Sequence, residues 1–299
     1  MPLTLPSLSR RQFLAGSLAA SLAASRILAT EESQRDPDRF VLLSDTHIPS
    51  KPDISVREVN MHDNFVKASK AILELKSAPT ATLHLGDCAY LNGQSADYEL
   101  LVKLLEPLRK AGMPVHLALG NHDHRERFWQ ALPADAGQNK YVDARHLMVV
   151  KTPHANWFIL DTLDVTDKAP GALGDEQLKW LAKALDEHAS TPALIAMHHN
   201  PDWKPMPGGL TDTGKLFEVL APRKQVKAVF YGHTHNWEVT SKEGIHLVNL
   251  PPVAYVFAKG KPSGFVEIEL AEASAKLRLS ALDTEHPEHG KVVELAWRM

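Results

Sequence analysis

Five short motifs place metal-ligating residue types just after apolar runs: Asp45-Thr46-His47, Gly86-Asp87, Gly120-Asn121-His122-Asp123, His198-His199 and Gly232-His233-Thr234-His235. They offer carboxylates, an amide oxygen and several imidazoles, a mixture that suits Fe, Mn or Zn better than Mg or Ca. An ordinary core has no use for so many polar groups at strand ends, whereas two adjacent divalent cations do. The chemistry this implies is metal-assisted hydrolysis. A phosphodiester, for instance, is an anion that repels hydroxide. Two cations about 3.5–4 Å apart neutralise it, clamp the attacking and departing oxygens, and lower the pKa of a water from roughly 15.7 to about 7. No serine or cysteine nucleophile is then required. Accordingly the chain has no Gly-x-Ser-x-Gly elbow, no dinucleotide fingerprint and no lysine-bearing phosphate loop.

Taken singly, each residue has a plainer reading: Asp45 as a turn or helix cap, the stretch from Gly232 to His235 as a loop, any one histidine as a hydrogen-bonded structural group. Taken jointly, the metal reading prevails. His84, inside a strand, reads as core or as a support behind the site. Trp203, Trp237, Tyr255 and Phe257 either stack on a base or sugar or simply pack.

The elements that must carry these residues alternate. Phe40 to Ser44 reads as a strand buried on both faces, Val56 to Lys76 as a helix, and Thr80 to Leu85 as a strand. Ala96 to Ala111 reads as a helix containing Pro107, and Val115 to Leu119 as a strand. The second half continues with strand Trp157 to Leu160, helix Gly174 to His188, strand Ala193 to Met197, helix Thr211 to Leu220 and strand Val226 to Tyr231. Four short strands, Trp237 to Thr240, Ile245 to Leu250, Phe265 to Leu270 and Lys276 to Leu282, follow without helices and are expected to be antiparallel. The alternation argues for an α/β fold with a largely parallel central sheet, and ligands of such sheets bind beyond the carboxyl ends of the strands. All five motifs fall there.

The 299 residues, 44% of them hydrophobic, can bury a sizeable core without metal, and a formal charge of −3 argues against binding duplex nucleic acid. The single cysteine, Cys88, allows no intramolecular disulfide and reads as a small buried residue. At the N-terminus, Ser9-Arg10-Arg11-Gln12-Phe13-Leu14 precedes an Ala-rich stretch too short for a stable membrane span. It resembles a bacterial twin-arginine export signal, which implies use of the twin-arginine export machinery and a periplasmic or secreted location. The expected division is a signal peptide over residues 1–29, a linker over 30–38 and a single domain over 39–299.

In order and spacing the motifs resemble the calcineurin-like metallophosphoesterase superfamily, from Ser44 to His235. Asp87-Cys88-Ala89-Tyr90-Leu91-Asn92-Gly93 and the stretch from Gly120 to Arg125 resemble its class III cyclic nucleotide phosphodiesterase and glycerophosphodiesterase branch. The resemblance implies an α/β four-layer sandwich of two mixed β-sheets flanked by helices, and two divalent or trivalent metal ions (Fe, Mn or Zn). It implies that Asp45, His47 and His235 hold one metal, that Asn121, His198 and His233 hold the other, and that Asp87 bridges them. His198 is preferred to His199 because it stands a few positions ahead of Pro201. His122 is implied as a non-ligand that stabilises developing charge or protonates the leaving group, with Asp123 orienting its imidazole. A tyrosine at position 90 binds ferric iron in purple acid phosphatases whose first motif lacks its histidine. Here His47 is present, so Tyr90 reads as packing or a substrate wall. The implied substrate is a small phosphodiester, a cyclic nucleotide or glycerophosphodiester. A phosphomonoesterase and a metal-binding protein with a relic site are the alternatives. The loops from Pro49 to Asn64, Leu91 to Asp97, Asn200 to Gly209 and Pro251 to Lys261 are expected to set specificity. The antiparallel C-terminal part is where a homodimer would form, as in some relatives.

Overall fold

The computed structural model describes residues 35–134, 141–204 and 208–299; the expected signal peptide lies outside the described residues. Strand β1 (Asp36–Leu43) opens three residues before the domain start expected from the sequence. A two-strand hairpin, β2 (Ser55–Val56) and β3 (Val59–Asn60), then leads into helix α1 (Met61–Leu73). The helix was expected from Val56. It starts later because Arg57 and Glu58 take left-handed backbone angles (φ 53° and 67°) that close the hairpin, and the Asn60 side chain then caps the helix by accepting from the Asp63 amide at 3.0 Å. There follow β4 (Pro79–Leu85), α2 (Ser95–Lys110), β5 (Val115–Ala118), α3 (Arg125–Ala131), β6 (Met148–Lys151), β7 (Asn156–Ile159), α4 (Asp175–Glu187), β8 (Ala193–Ala196), α5 (Thr213–Leu220), β9 (Val226–Tyr231), β10 (Glu238–Lys242), β11 (Ile245–Asn249), β12 (Gly264–Leu270), β13 (Ser274–Ala281) and β14 (Val292–Ala296).

The strands form two six-stranded mixed sheets, ordered β14-β13-β12-β1-β4-β5 and β10-β11-β9-β8-β7-β6. The alternation of strands and helices is therefore split between two sheets instead of building one parallel sheet. β11, expected to be antiparallel, lies parallel to β9, while β10 pairs with it antiparallel. Side-chain alternation explains the layering. Phe40 and Leu42 of β1 face the core between the sheets, with Leu83, Leu194, Phe230 and Trp157. Val41 and Leu43 face outward onto Phe65, Ala68 and Ile72 of α1 and onto α2. On the other side Ile195 and Val229 meet α4 and α5. Helices, sheet, sheet and helices make the four layers. Central strands buried on both faces read as unbroken apolar runs for this reason. Among the described residues no helix is long and apolar enough to cross a membrane.

Candidate metal centre

Each motif begins where a strand ends: Asp45 beyond β1, Asp87 beyond β4, Asn121 beyond β5, His198 beyond β8, and His233 and His235 beyond β9. Strand ends of both sheets thus meet on one edge of the sandwich. Backbone bonds tie the loops together: Asp45 N donates to Gly86 O (3.1 Å), His47 N to Asp87 O (2.9 Å) and Gly232 N to His198 O (3.0 Å). The motif glycines are required by close approach. A Cβ at Gly120 would overlap the Asp87 carboxylate, and one at Gly232 would overlap Ser44 and Asp45. Asp45, His47, Asp87, His233 and His235 all have positive φ (53°, 46°, 52°, 70° and 51°). Such backbone costs on the order of 1–3 kcal/mol per residue and clusters at sites where function requires it.

The seven expected ligands converge. The Asp45 carboxylate lies 3.4 Å from His235 Nε2 and 4.0 Å from His47 Nε2, and those two nitrogens are 3.0 Å apart. Asn121 Oδ1 lies 3.0 Å from His233 Nδ1 and 3.3 Å from His198 Nε2. Asp87 Oδ2 stands between the two groups, 3.6 Å from His47 Nε2 and 3.3 Å from His198 Nε2. All but His233 are nearly fully buried. The donor set fits a pair of cations, because the far side of three of the four rings is already committed, while His47 Nδ1 is buried without a partner. His198 Nδ1 donates to Leu85 O (2.9 Å), His233 Nε2 to Gly208 O (3.0 Å) and His235 Nδ1 to Tyr255 O. In the neutral ring each of these near nitrogens is a lone pair aimed into the cluster.

Electrostatics carry a consequence for loading. Burial alone would depress His198, but the Asp87 carboxylate more than reverses this and raises its pKa to about 9. Burial likewise pushes Asp87 up, and the His198 and His47 imidazoles overcome it and hold the carboxyl well below its usual range. Burial keeps His47 and His233 neutral, near 3 and 4. Metal-free His198 is therefore protonated at pH 7, and its proton must leave before a cation can be ligated. Since the protonated form prevails below about 9, apparent metal affinity is expected to climb with pH toward about 9, roughly tenfold per unit for each proton displaced. Adding Mn or Zn to metal-free protein in weakly buffered indicator dye at pH 7 to 8 should acidify the solution. Absence of proton release would contradict the charged His198.

The expectation for Asp123 is corrected. Its carboxylate does not touch the His122 imidazole. It is fully buried and accepts from the amides of Cys88 (3.1 Å), Ala89 (3.0 Å) and Gly120 (2.8 Å) and from the Tyr98 hydroxyl (3.1 Å). Three backbone donors and a phenol pull it inward, so it braces the loops of Asp87 and Asn121 against helix α2. Burial and nearby Asp87 raise its pKa to about 6. The carboxylate beside His122 is Asp167, whose Oδ1 lies 3.6 Å from Nδ1, while Nδ1 donates to Leu91 O. Asp167 N also donates to Asn121 O (2.7 Å). Asp167 sits in a loop without any motif, so sequence reasoning missed it. His122 itself remains at the cluster: its amide donates to Asp87 Oδ1 (2.9 Å), and a ring nitrogen comes within 4.8 Å of donor atoms of His47 and Asp87.

Other residues divide as follows. His199 holds its Nδ1 2.7 Å from Thr162 Oγ1, yet a ring nitrogen lies within 4.8 Å of those of His198 and His233 and its buried Nε2 has no partner. His84 supports the site from behind, its Nε2 2.9 Å from Thr46 Oγ1. Tyr255 stacks on His47 and Phe257 on His235 (ring centroids 5.3 and 4.1 Å), forming an aromatic wall, whereas Trp203 packs on Phe217. Burial, then Asp87 and Tyr90, pushes the Tyr255 phenol up to about 12. Cys88 is buried, as expected. The Arg125–Asp161 pair (Nε to Oδ2, 2.6 Å), which ties α3 to the segment beyond β7, was also missed.

Comparison with known proteins agrees with this geometry. A family model described as calcineurin-like phosphoesterase matches residues 38–237. The chain is 28% identical over 245 residues to the 3′,5′-cyclic adenosine monophosphate phosphodiesterase CpdA of Pseudomonas aeruginosa, covering 80% of this chain and 85% of that protein. It is 27% identical over 208 residues to a probable glycerophosphodiester phosphodiesterase GpdQ of Arcobacter nitrofigilis, covering 67% and 72%. Among solved structures, a dimetal phosphatase from Danio rerio superposes with a TM-score of 0.69 at 15% identity, covering 88% of this chain and all of that one, a likeness of fold. Residues 38–237 hold every one of the converging ligands, and on that match the chain belongs to the calcineurin-like phosphoesterase family and is a metallophosphoesterase.

Proposed function

We propose that the chain hydrolyses small phosphodiesters, of the cyclic nucleotide or glycerophosphodiester kind, at two metal ions. Asp45, His47, Asp87 and His235 hold one ion and Asp87, Asn121, His198 and His233 the other. The observation that carries this reading is Asp87 Oδ2 facing His47 and His198 at 3.6 and 3.3 Å, a single carboxylate shared by two imidazole groups. When bound, the ions neutralise the phosphate and supply a nucleophile from water. His122 is a quarter exposed, next to the cluster, with Nδ1 committed to Leu91 O. Its Nε2 is left to give a proton to the departing alkoxide oxygen. The Tyr255–Phe257 wall shields the His47–His235 side from water. Relatives named as phosphodiesterases support the diester over the monoester.

With added Mn, bis-p-nitrophenyl phosphate is expected to be cleaved with a higher kcat/KM than p-nitrophenyl phosphate. The reverse order would make the protein a phosphomonoesterase, and cleavage of neither ester would mark a relic site. Export by the twin-arginine route is part of the same reading, motivated by Arg10-Arg11 ahead of the Ala-rich stretch. Changing both arginines to lysine is expected to leave precursor in the cytoplasm, and undiminished export would refute it.

A further inference from the structure

A cavity of about 540 Å³ is lined by Trp237, Lys259, Lys261, Pro262, His286 and Glu288, among others. Strand directions place it on the same edge of the sandwich as the metal centre. β1 runs toward Asp45; β12, antiparallel to it, starts on that edge, and β13 ends there, with Ala281 opposite Gly264. Asn249 at the end of β11 pairs with Tyr231 at the end of β9 and with Glu238 at the start of β10. The cavity walls are the three segments that turn at this edge: the start of β10, the β11–β12 loop and the β13–β14 loop. Two of these adjoin residues of the centre in sequence. Trp237 lies two residues from His235, so their Cα atoms are at most about 7 Å apart. Lys259 is equally close in sequence to Phe257, whose ring stacks on His235 at 4.1 Å.

The cavity chemistry is specific. Glu288, its carboxylate, is paired with Lys291 at 2.6 Å, and His286 Nε2 donates to Gly260 O at 3.1 Å. The ammonium groups of Lys259 and Lys261 are exposed and meet no carboxylate or carbonyl among the described residues. The indole of Trp237 gives a planar apolar wall. The volume falls within the roughly 300–1,000 Å³ of small-ligand sites, so it has room for a nucleotide-sized group.

We infer that this cavity is a distal subsite for a nucleotide moiety bearing its own phosphate, so that the preferred substrate is a linear dinucleotide. The inference rests on the two-metal phosphodiesterase reading above, and places a linear dinucleotide ahead of the cyclic nucleotide and glycerophosphodiester named there. A cyclic mononucleotide has one phosphate, which the metal centre occupies, and nothing remains for the two lysines. A glycerol headgroup is neither planar nor anionic. The base would lie against Trp237 and the second phosphate between Lys259 and Lys261.

The test compares the wild-type chain with the Lys259→Ala/Lys261→Ala double variant, both loaded with Mn, on 5′-phosphorylated adenylyl-adenosine and on bis-p-nitrophenyl phosphate. The wild type is expected to prefer the dinucleotide. The variant should lose about tenfold in kcat/KM on it, chiefly through KM, as expected for two exposed ion pairs, with bis-p-nitrophenyl phosphate unchanged. Equal effects on both esters, or no loss on the dinucleotide, would overturn the subsite. If the wild type cleaves neither ester, the phosphodiesterase reading itself fails. Binding of the dinucleotide, followed by tryptophan fluorescence, then decides the subsite separately: about tenfold weaker binding by the variant supports it, and unchanged binding overturns it.

Discussion

Replacing Asp87 with alanine is expected to lower kcat/KM for bis-p-nitrophenyl phosphate by at least about a thousandfold, the several kcal/mol that a metal pair contributes to a phosphoryl transition state. The reason is positional. Among the described residues Asp87 is the one side chain whose oxygen contacts imidazoles of both ligand groups, and it is the main cause of the raised His198 pKa. Without it, only Asp45 and the Leu85 carbonyl oppose burial at His198, and each remaining ligand group loses a carboxylate. The Asp87 backbone would still accept from His47 N, so a thermal melt can separate loss of ligation from loss of fold. Activity within about tenfold of wild type in a folded Asp87→Ala protein would show that the carboxylate is not shared by two cations.

His122→Ala is expected to lower kcat by about 10²- to 10⁴-fold, the usual contribution of a positioned proton donor, while metal content stays unchanged. The amide of residue 122 would go on donating to Asp87 Oδ1, because that bond is backbone. The imidazole is held from outside the cluster, by Leu91 O and beside Asp167. Its ring also approaches His47 and Asp87 closely enough to ligate, so the two roles make opposite forecasts for metal content. Loss of an equivalent of metal together with activity would make His122 a ligand and remove the proton donor from the mechanism.

The site was legible in the sequence because metal chemistry restricts residue types more severely than packing does. Asp45, His47, Asp87, Asn121, His198, His233 and His235 stand out as polar residues at the ends of apolar strands, and the glycines before Asp87, Asn121 and His233 mark where backbones must pass close. What the residues alone did not disclose depends on partners distant in the chain. Asp123 looked like a companion to its neighbour His122, but three amides and the Tyr98 hydroxyl draw it inward. Asp167 took the place beside the imidazole from a loop with no pattern. The division into two sheets was not readable from alternation either, since an apolar run such as Phe40 to Leu43 is the same whether its outer face meets a helix or a second sheet. The four-residue strand β6 and the largely exposed β14 were also missed.

The most direct measurement is the metal content of the chain after reconstitution with Mn and removal of loosely held ion. About two equivalents per chain are expected for a dinuclear centre, falling to one or fewer in Asp87→Ala. A wild-type chain that retains none, or one equivalent that survives the Asp87 substitution, would contradict a paired-cation centre.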